Sequence, residues 1–218
     1  MQLAEILEEL KSLSNKKNIE GMGRFGINNT KALGINIPVL RTLAKHIGKN
    51  NELAFELWST EIHEARLLAI FITDVKKLTE EQLESWLQDF DSWDVCDQAC
   101  SIFTKHPLAY KKAIEWTSRQ EEFQKRAGFS LIASLAVHDK KADDMQLIQF
   151  LPIIERESYD DRNFVKKAIN WALRQIGKRN SSLMQLATEA AKRIYDQGTP
   201  AAKWIASDAL REFKKKTV

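Results

Sequence analysis

The sequence predicts an all-α fold in the form of a curved α-solenoid of helical repeats. The chain has only 8 Gly and 4 Pro in 218 residues, so residues that interrupt helices are scarce. Apolar residues recur at steps of three and four, as in residues 65–72 and 80–90, which is the periodicity of amphipathic helices. No stretch alternates in the way that a half-buried strand does.

Related segments return at intervals near 40 residues. FQKRA at 123–127 matches FVKKA at 164–168, and VKKAINWALR at 165–174 matches AKWIASDALR at 202–211. Periods of this length with two helices each are typical of HEAT-like (armadillo-type) arrays, whose second helices line one concave surface. An unrelated helical bundle is the alternative. The repeat puts these residues on the inner helices: Arg66, Asp97, Arg126, Lys167, Trp171 and Trp204.

The helix boundaries follow from local signals along the chain. Pro38, Pro107 and Pro152 mark boundaries, because proline is tolerated in the first turn of a helix but not in its interior. Thr79 with Gln82 forms a capping-box pattern ahead of an apolar run. Ser92, Asp161 and Thr199-Pro200 precede further runs. No linker divides the chain, so we expect one domain over residues 1–218.

The composition is that of an ordinary soluble globular protein, with 44% hydrophobic and 29% charged residues. The net charge of +3 allows a nucleic-acid partner without demanding one. Two cysteines suit a reducing, cytoplasmic location. The N-terminal segment has neither a basic region nor a long apolar run, so we expect no signal peptide and no membrane partner.

The segment DSWDVCDQAC at 91–100 holds two residue pairs spaced four apart. Trp93 and Asp97 share a helix face, and so do Cys96 and Cys100. We interpret the two cysteines as buried thiols, with a metal or redox site as the alternative.

The other notable side chains of the sequence have structural interpretations. Asp94 is interpreted as a structural hydrogen-bond acceptor, and the His63-Glu64 pair as surface polarity. The remaining tryptophans predicted to pack between helices are Trp58, Trp86 and Trp116.

Four stretches resemble a known family. They are residues 22–47 with the pattern LGI-x-x-P-x-x-R, SWDVCD at 92–97, FQKRAGF at 123–129 and FVKKAINWALRQIGK at 164–178. In this order they are similar to the HEAT-like repeat DNA glycosylases for alkylated purines, the D type of DNA alkylation repair enzyme. The resemblance covers most of the chain and implies the same helical-repeat fold.

The resemblance implies a catalytic aspartate at Asp97, active-site tryptophans at Trp93 and Trp171, and an arginine at Arg126. A purine alkylated on N3 or N7 is cationic and leaves readily, so the group that needs help is the sugar as it becomes an oxocarbenium ion. A carboxylate stabilises that charge and positions water, while indole faces attract a cationic nucleotide. No metal or other cofactor is implied, and no lysine is placed for a Schiff base.

The expected partner is double-stranded DNA with alkylated bases, bound by a monomer. Phosphate contacts are expected mostly from cations on or next to the inner helices. These are Arg41, Lys45, Arg66, Lys125, Lys166, Lys167, Arg174, Lys178 and Arg179. Phe25 is a further expected DNA contact, but the sequence departs from the family there, because DNA-binding members have a tyrosine at this position. Gly21 and Gly23 weaken the helix expected in this region.

The sequence leaves three functions open. The leading hypothesis is a monofunctional DNA glycosylase that hydrolyses the N-glycosidic bond of cationic alkylpurines. The alternative, motivated by Phe25, is a catalytically weak or inactive HEAT-like scaffold that binds DNA or a protein partner. The third is a thiol or metal protein built on Cys96 and Cys100.

Overall fold

The computed structural model describes residues 1–216, and within that range it contains helices and turns but no strand. The predicted all-α class is therefore confirmed. Among these residues, no helix combines the length and the apolar character that a membrane crossing needs. The helices group into two compact units, residues 1–102 and a second unit that begins at Phe103.

The first unit runs from α1 to α7 and includes one 3-10 turn, Val75–Lys77. Its helices are α1 Leu3–Ser12, α2 Lys16–Arg24, α3 Ile37–Ile47, α4 Asn51–Ser59, α5 His63–Ile72, α6 Glu80–Gln88 and α7 Trp93–Phe103. The predicted capping box starts α6, because the Gln82 backbone N–H donates to Thr79 Oγ1 at 3.3 Å and Thr79 N–H donates to Gln82 Oε1 at 2.9 Å.

Trp58 and Trp86 pack in the core of the first unit, and their predicted packing role is confirmed. The rings of Trp58 and Trp86 lie parallel with centroids 4.3 Å apart, and both residues are buried. The Trp58 Nε1 donates to Asp89 Oδ2 at 2.8 Å, which fixes the ring against the end of α6. This contact holds the segment that leads into α7.

Helix α2 forms despite its glycines. The side chain of Asn15 accepts from the Asn18 backbone N–H at 3.2 Å and caps the helix, which continues through Gly21 and Gly23 and ends at Arg24. After Phe25, Gly26 has a φ of 71° and turns the chain into an irregular segment that reaches α3. The region therefore contains a nine-residue helix followed by a loop.

The second unit contains α8 to α14. Its helices are α8 Ala109–Trp116, α9 Glu122–His138, α10 Asp144–Ile148, α11 Leu151–Glu157, α12 Asn163–Gly177, α13 Ser181–Asp196 and α14 Pro200–Lys216. α12 packs against both α9 and α14. These three helices carry the segments that repeat in the sequence, so equivalent helices of the array are neighbours.

Candidate functional site

The first turns of α7 present the predicted tryptophan and aspartate together. Trp93 and Asp97 are both half-buried and lie one turn apart on the same helix face. The Trp93 indole Nε1 donates to the Phe25 carbonyl oxygen at 2.9 Å. Cys96 and Cys100 of the same helix are buried thiols, as predicted. The two thiols are therefore packed inside the protein, while Trp93 and Asp97 each keep part of their surface exposed.

The loop after α2 is tied to the start of α7. The Asn28 backbone N–H donates to Ser92 Oγ at 2.9 Å, and the Asn28 side-chain amide donates to Asp91 Oδ2 at 2.8 Å. Together with the bond from Trp93, these contacts hold the loop in place while the Phe25 ring remains 71% exposed. An apolar ring is thus displayed next to the Trp93–Asp97 face.

His63 lies beneath this loop, and the surface interpretation of His63 was wrong. The residue is 6% exposed, and its Nε2 lies 2.9 Å from Asp94 Oδ2, so Asp94 has the predicted structural role. Burial of the ring opposes protonation, but the hydrogen bond to Asp94 and nearby carboxylate charges outweigh it and raise the pKa of His63. The pair joins the start of α5 to the start of α7.

Glu64 is also buried, at 1% exposure, so the surface interpretation fails here as well. Its carboxylate accepts three consecutive backbone N–H groups of the loop before α3. The donors are Leu33 at 2.7 Å, Gly34 at 2.6 Å and Ile35 at 3.2 Å. A charge left unpaired in this position would be costly, and the three donors compensate its loss of water.

Arg66, a predicted phosphate contact, is 8% exposed and lies inside the first unit. Its Nη1 donates to the Asp89 backbone carbonyl at 3.1 Å and lies 3.7 Å from Asp91 Oδ2, while its guanidinium covers the Trp58 ring at 5.2 Å. These contacts give Arg66 a structural role in holding the segment before α7. Its phosphate contact stays a prediction.

Arg41 and Lys45 are exposed on α3, as a phosphate contact requires. Arg41 donates through Nη2 to Gln98 Oε1 on α7 at 3.3 Å, and its guanidinium lies over the Phe71 ring at 5.4 Å. The side chain is therefore positioned beside the residue that follows Asp97.

In the second unit, Arg126 and Trp171 come from the packed pair α9 and α12. Arg126 is 6% exposed, and its Nη1 donates to the Phe164 carbonyl at 2.7 Å. Trp171 is half-buried. With the Gln175 amide oxygen turned toward the indole, that oxygen accepts from Trp171 Nε1 at 2.9 Å and from Lys178 Nζ at 3.1 Å. Arg126 thus anchors the first turn of the helix that carries Trp171.

Lys125 is buried and ion-paired. Its Nζ lies 2.6 Å from Glu157 Oε2 and 3.1 Å from Asp160 Oδ2, and Arg162 also binds Asp160. Burial opposes the ammonium charge, but the hydrogen bonds to both acids raise the pKa of Lys125. The charge is therefore compensated within the second unit, and a phosphate contact from Lys125 stays a prediction.

The remaining predicted cations lie on or just after α12. Lys166 covers the Trp204 ring at 5.3 Å, and Lys167 is exposed. Arg174 and Lys178 share Glu212, with N–O distances of 2.7 and 2.9 Å. Arg179 donates to three backbone carbonyls at and after the C-terminal end of α9.

Apart from Lys166, which is half-buried over the Trp204 ring, the predicted cations fall into two classes. Arg41, Lys45 and Lys167 are exposed. Arg66, Lys125, Arg174, Lys178 and Arg179 are engaged with acids or carbonyls. Within residues 1–216, no cluster of three or more His, Cys, Asp or Glu side chains is arranged to hold a metal ion.

The sequence did not point to Asn28, which ties the loop after α2 to the start of α7, or to Lys49, which binds the backbone carbonyls of Phe71 and Thr73. Lys49 continues a spacing of four from Arg41 and Lys45, and this pattern could have pointed to it. Asn28 carries no comparable local signal, because its partners Asp91 and Ser92 lie more than sixty residues away.

Comparisons with known proteins agree with this fold. The family model described as DNA alkylation repair enzyme matches residues 6–214. The uncharacterized protein Lin0241 of Listeria innocua is 25% identical over 191 residues, covering 85% of this chain and 83% of that protein.

A solved structure is similar over almost the whole chain. It is described as "a new family of proteins related to the HEAT-like repeat DNA glycosylases with affinity for branched DNA structures". It aligns with a TM-score of 0.81 and 20% identity, over 97% of this chain and 95% of its own. The similarity confirms the predicted HEAT-like repeat fold.

Proposed function

The chain belongs to the DNA alkylation repair enzyme family, and we propose that it is a DNA glycosylase that hydrolyses the N-glycosidic bond of N3- and N7-alkylated purines. The observation that carries the proposal is the pairing on α7 of Trp93 with Asp97. The two are half-buried, one turn apart, and the indole is held by the Phe25 carbonyl. A fixed ring face and a carboxylate beside it suit a substrate that is cationic before and during the reaction.

Asp97 would act on the sugar rather than on the base. The alkylated purine is already positively charged and needs no general acid to leave. As the bond to the sugar breaks, positive charge grows at the ring oxygen and the anomeric carbon. A carboxylate in a partly dehydrated position stabilises that charge and orients the water that attacks the anomeric carbon.

The tryptophans would bind the cationic nucleotide. A cation over an indole face gains about 0.5–2 kcal/mol. The Trp93 and Trp171 indole N–H groups each donate within the protein, to the Phe25 carbonyl and to Gln175 respectively. These bonds fix the ring planes, so neither ring would have to be ordered when the substrate binds.

Arg126 would serve mainly by holding α12. Its burial and its 2.7 Å hydrogen bond to the Phe164 carbonyl support a role in fixing the helix that carries Trp171. Exposed cations are better suited to the DNA backbone, and Arg41, Lys45 and Lys167 have that exposure. Each phosphate that a cation neutralises steepens the salt dependence of binding.

The test is base release by the wild-type protein. Duplex DNA carrying N7-methylguanine or N3-methyladenine is incubated with the protein, and free base is separated by chromatography. We expect release above the spontaneous rate, with a strand that stays intact until heated in alkali, because no Schiff base forms. Release that never exceeds the rate without protein would remove the glycosylase proposal.

A second candidate is DNA binding without excision. It is favoured by Phe25, which follows the last residue of α2 and has an exposed ring without a phenolic hydroxyl. The similar solved structure, described as having affinity for branched DNA, supports the same candidate.

Phe25→Tyr separates the two candidates. If the missing hydroxyl limits the grip on DNA, the variant binds duplex DNA more tightly and releases base faster than wild type. If the protein is a binding scaffold, Phe25→Tyr releases no base even at saturating protein.

A further inference from the structure

A groove in the first unit lies between α3, the end of α5 and the second half of α7, next to the Trp93–Asp97 face. Its volume is about 440 Å³, which is in the range of pockets that hold small organic ligands. We call it the α3–α7 groove. The lining residues that matter are Arg41, Lys45, Lys49, Phe71, Gln98 and Ile102.

The charge of the α3–α7 groove has one sign. Arg41, Lys45 and Lys49 line it, and none of its lining residues is acidic. Lys49 Nζ is fixed by the backbone carbonyls of Phe71 at 3.1 Å and Thr73 at 2.7 Å, at the C-terminal end of α5. The ligand that complements this rim is anionic.

Two other cavities in the described part of the chain have linings of mixed charge. In the cavity beside His63, Lys31 and Arg66 are opposed by Glu61, Asp89 and Asp91. In the cavity beside Lys125, the cations are likewise opposed by Glu157 and by Asp160 with Asp161. In these two cavities the cations lie beside acidic side chains, so the lining does not favour an anionic ligand.

The floor of the α3–α7 groove is apolar and contains a ring. Phe71 is half-buried, and Arg41 lies over it at 5.4 Å, with Ala44 and Ile102 alongside. Unpaired bases stack on aromatic rings and on guanidinium planes, and proteins that bind single strands combine such platforms with a basic groove. A duplex presents phosphates to a cationic rim but keeps its base faces stacked inside, so it would leave this floor unused.

We propose that the α3–α7 groove binds an unpaired segment of DNA, with Arg41 and Lys45 on the phosphates and a base against Phe71. The proposal rests on the proposed function, because Gln98, which contacts Arg41, follows Asp97 on α7. The preferred substrate is therefore DNA with a single-stranded flap or gap near the lesion rather than a continuous duplex.

The experiment measures affinity for three fluorescent probes at one salt concentration. The probes are a duplex with a thymidine flap, the same duplex without the flap, and an oligothymidine of about ten nucleotides. We expect wild type to bind the flapped duplex more tightly than the continuous one. Phe71→Leu keeps an apolar side chain but removes the ring, and should weaken flap and oligothymidine binding about fivefold or more while leaving the continuous duplex unchanged.

Charge removal is tested with a matched control. Arg41→Ala/Lys45→Ala should weaken binding of the flap and of the oligothymidine and reduce the salt dependence of that binding. Lys11→Ala/Lys192→Ala removes the same charge from exposed positions that do not line the groove, and should preserve the preference for the flap. Thermal unfolding of each variant checks that it is folded.

Two results would overturn the proposal. One is a wild-type protein that binds flapped and continuous duplexes equally, and the other is a Phe71→Leu variant that keeps the full preference. Base release from a continuous alkylated duplex is scored separately. A protein that prefers the flap but releases no base would refute the glycosylase proposal and support the proposed role of the α3–α7 groove. A protein that releases base but does not prefer the flap would refute the role of the groove and support the glycosylase proposal.

Discussion

Replacing Glu64 with alanine tests how the loop before α3 is held. The buried carboxylate accepts N–H groups at 2.7, 2.6 and 3.2 Å, and truncation would leave all three donors without this acceptor. Hydrogen bonds to charged groups contribute about 1.5–3 kcal/mol each, and contributions from one site are not additive. We therefore expect Glu64→Ala to lower the free energy of unfolding by about 3–5 kcal/mol.

The assay is thermal unfolding followed by circular dichroism. For a chain of this length, about 3–5 kcal/mol corresponds to a fall in Tm of roughly 6–20 °C. Glu56→Ala is the matched control, because Glu56 is exposed on α4 of the same unit, and it should shift stability by no more than about 0.5 kcal/mol. Equal Tm values for the two variants would refute the reasoning.

Three further outcomes are expected. Gly128→Ala should destabilise the protein by about 1–3 kcal/mol, because the added Cβ would lie 2.4 Å from the Thr117 backbone nitrogen. Gly21→Ala in α2 places its Cβ where nothing lies within 4 Å, and should stabilise the protein by about 0.5–1 kcal/mol. Denaturant midpoints measure both changes, and a shift of the two midpoints in the same direction would contradict the packing argument. The raised pKa of His63 means that the folded state binds the proton more tightly than the unfolded chain. The protonated His63 therefore adds to the free energy of unfolding fully below the unfolded pKa of about 6.5, and this stabilisation is lost as pH rises through the folded pKa. Over this pH range, the free energy of unfolding should fall less in His63→Gln than in wild type. Ser92→Ala removes the acceptor of the Asn28 N–H and should speed hydrogen exchange in residues 25–31, while unchanged exchange there would show that the loop is held by other contacts.

Features of the fold that depend on neighbouring residues could be predicted from the sequence. The Thr79–Gln82 capping box is complete within four residues, and the repeat of residues 123–127 at 164–168 anticipated that α9 and α12 would be neighbours. Helix α2 was harder, because its glycines disfavour a helix locally. The hydrogen bond from the Asn18 backbone N–H to the Asn15 side chain caps the helix and partly offsets the cost of the glycines.

The burial and the ion-pair partners of individual charged side chains could not be predicted in the same way. Lys125 follows the pattern of an inner-helix cation, but Glu157 and Asp160, which neutralise it, approach from a segment more than thirty residues away. Glu64 looked like a surface acid because its three backbone partners lie about thirty residues earlier. The pattern along one helix predicts which face a side chain occupies, but it does not predict which distant residues contact the side chain on that face.

The catalytic role of Asp97 is tested by the single-turnover rate at which Asp97→Asn releases N7-methylguanine at saturating protein. This condition separates chemistry from DNA affinity. The substitution keeps the size of the side chain and removes its charge, so we expect the rate to fall about a hundredfold or more. Asp196→Asn, at an exposed position on α13, should release base at the wild-type rate. Release by Asp97→Asn as fast as by wild type would mean that this carboxylate does not stabilise the sugar cation.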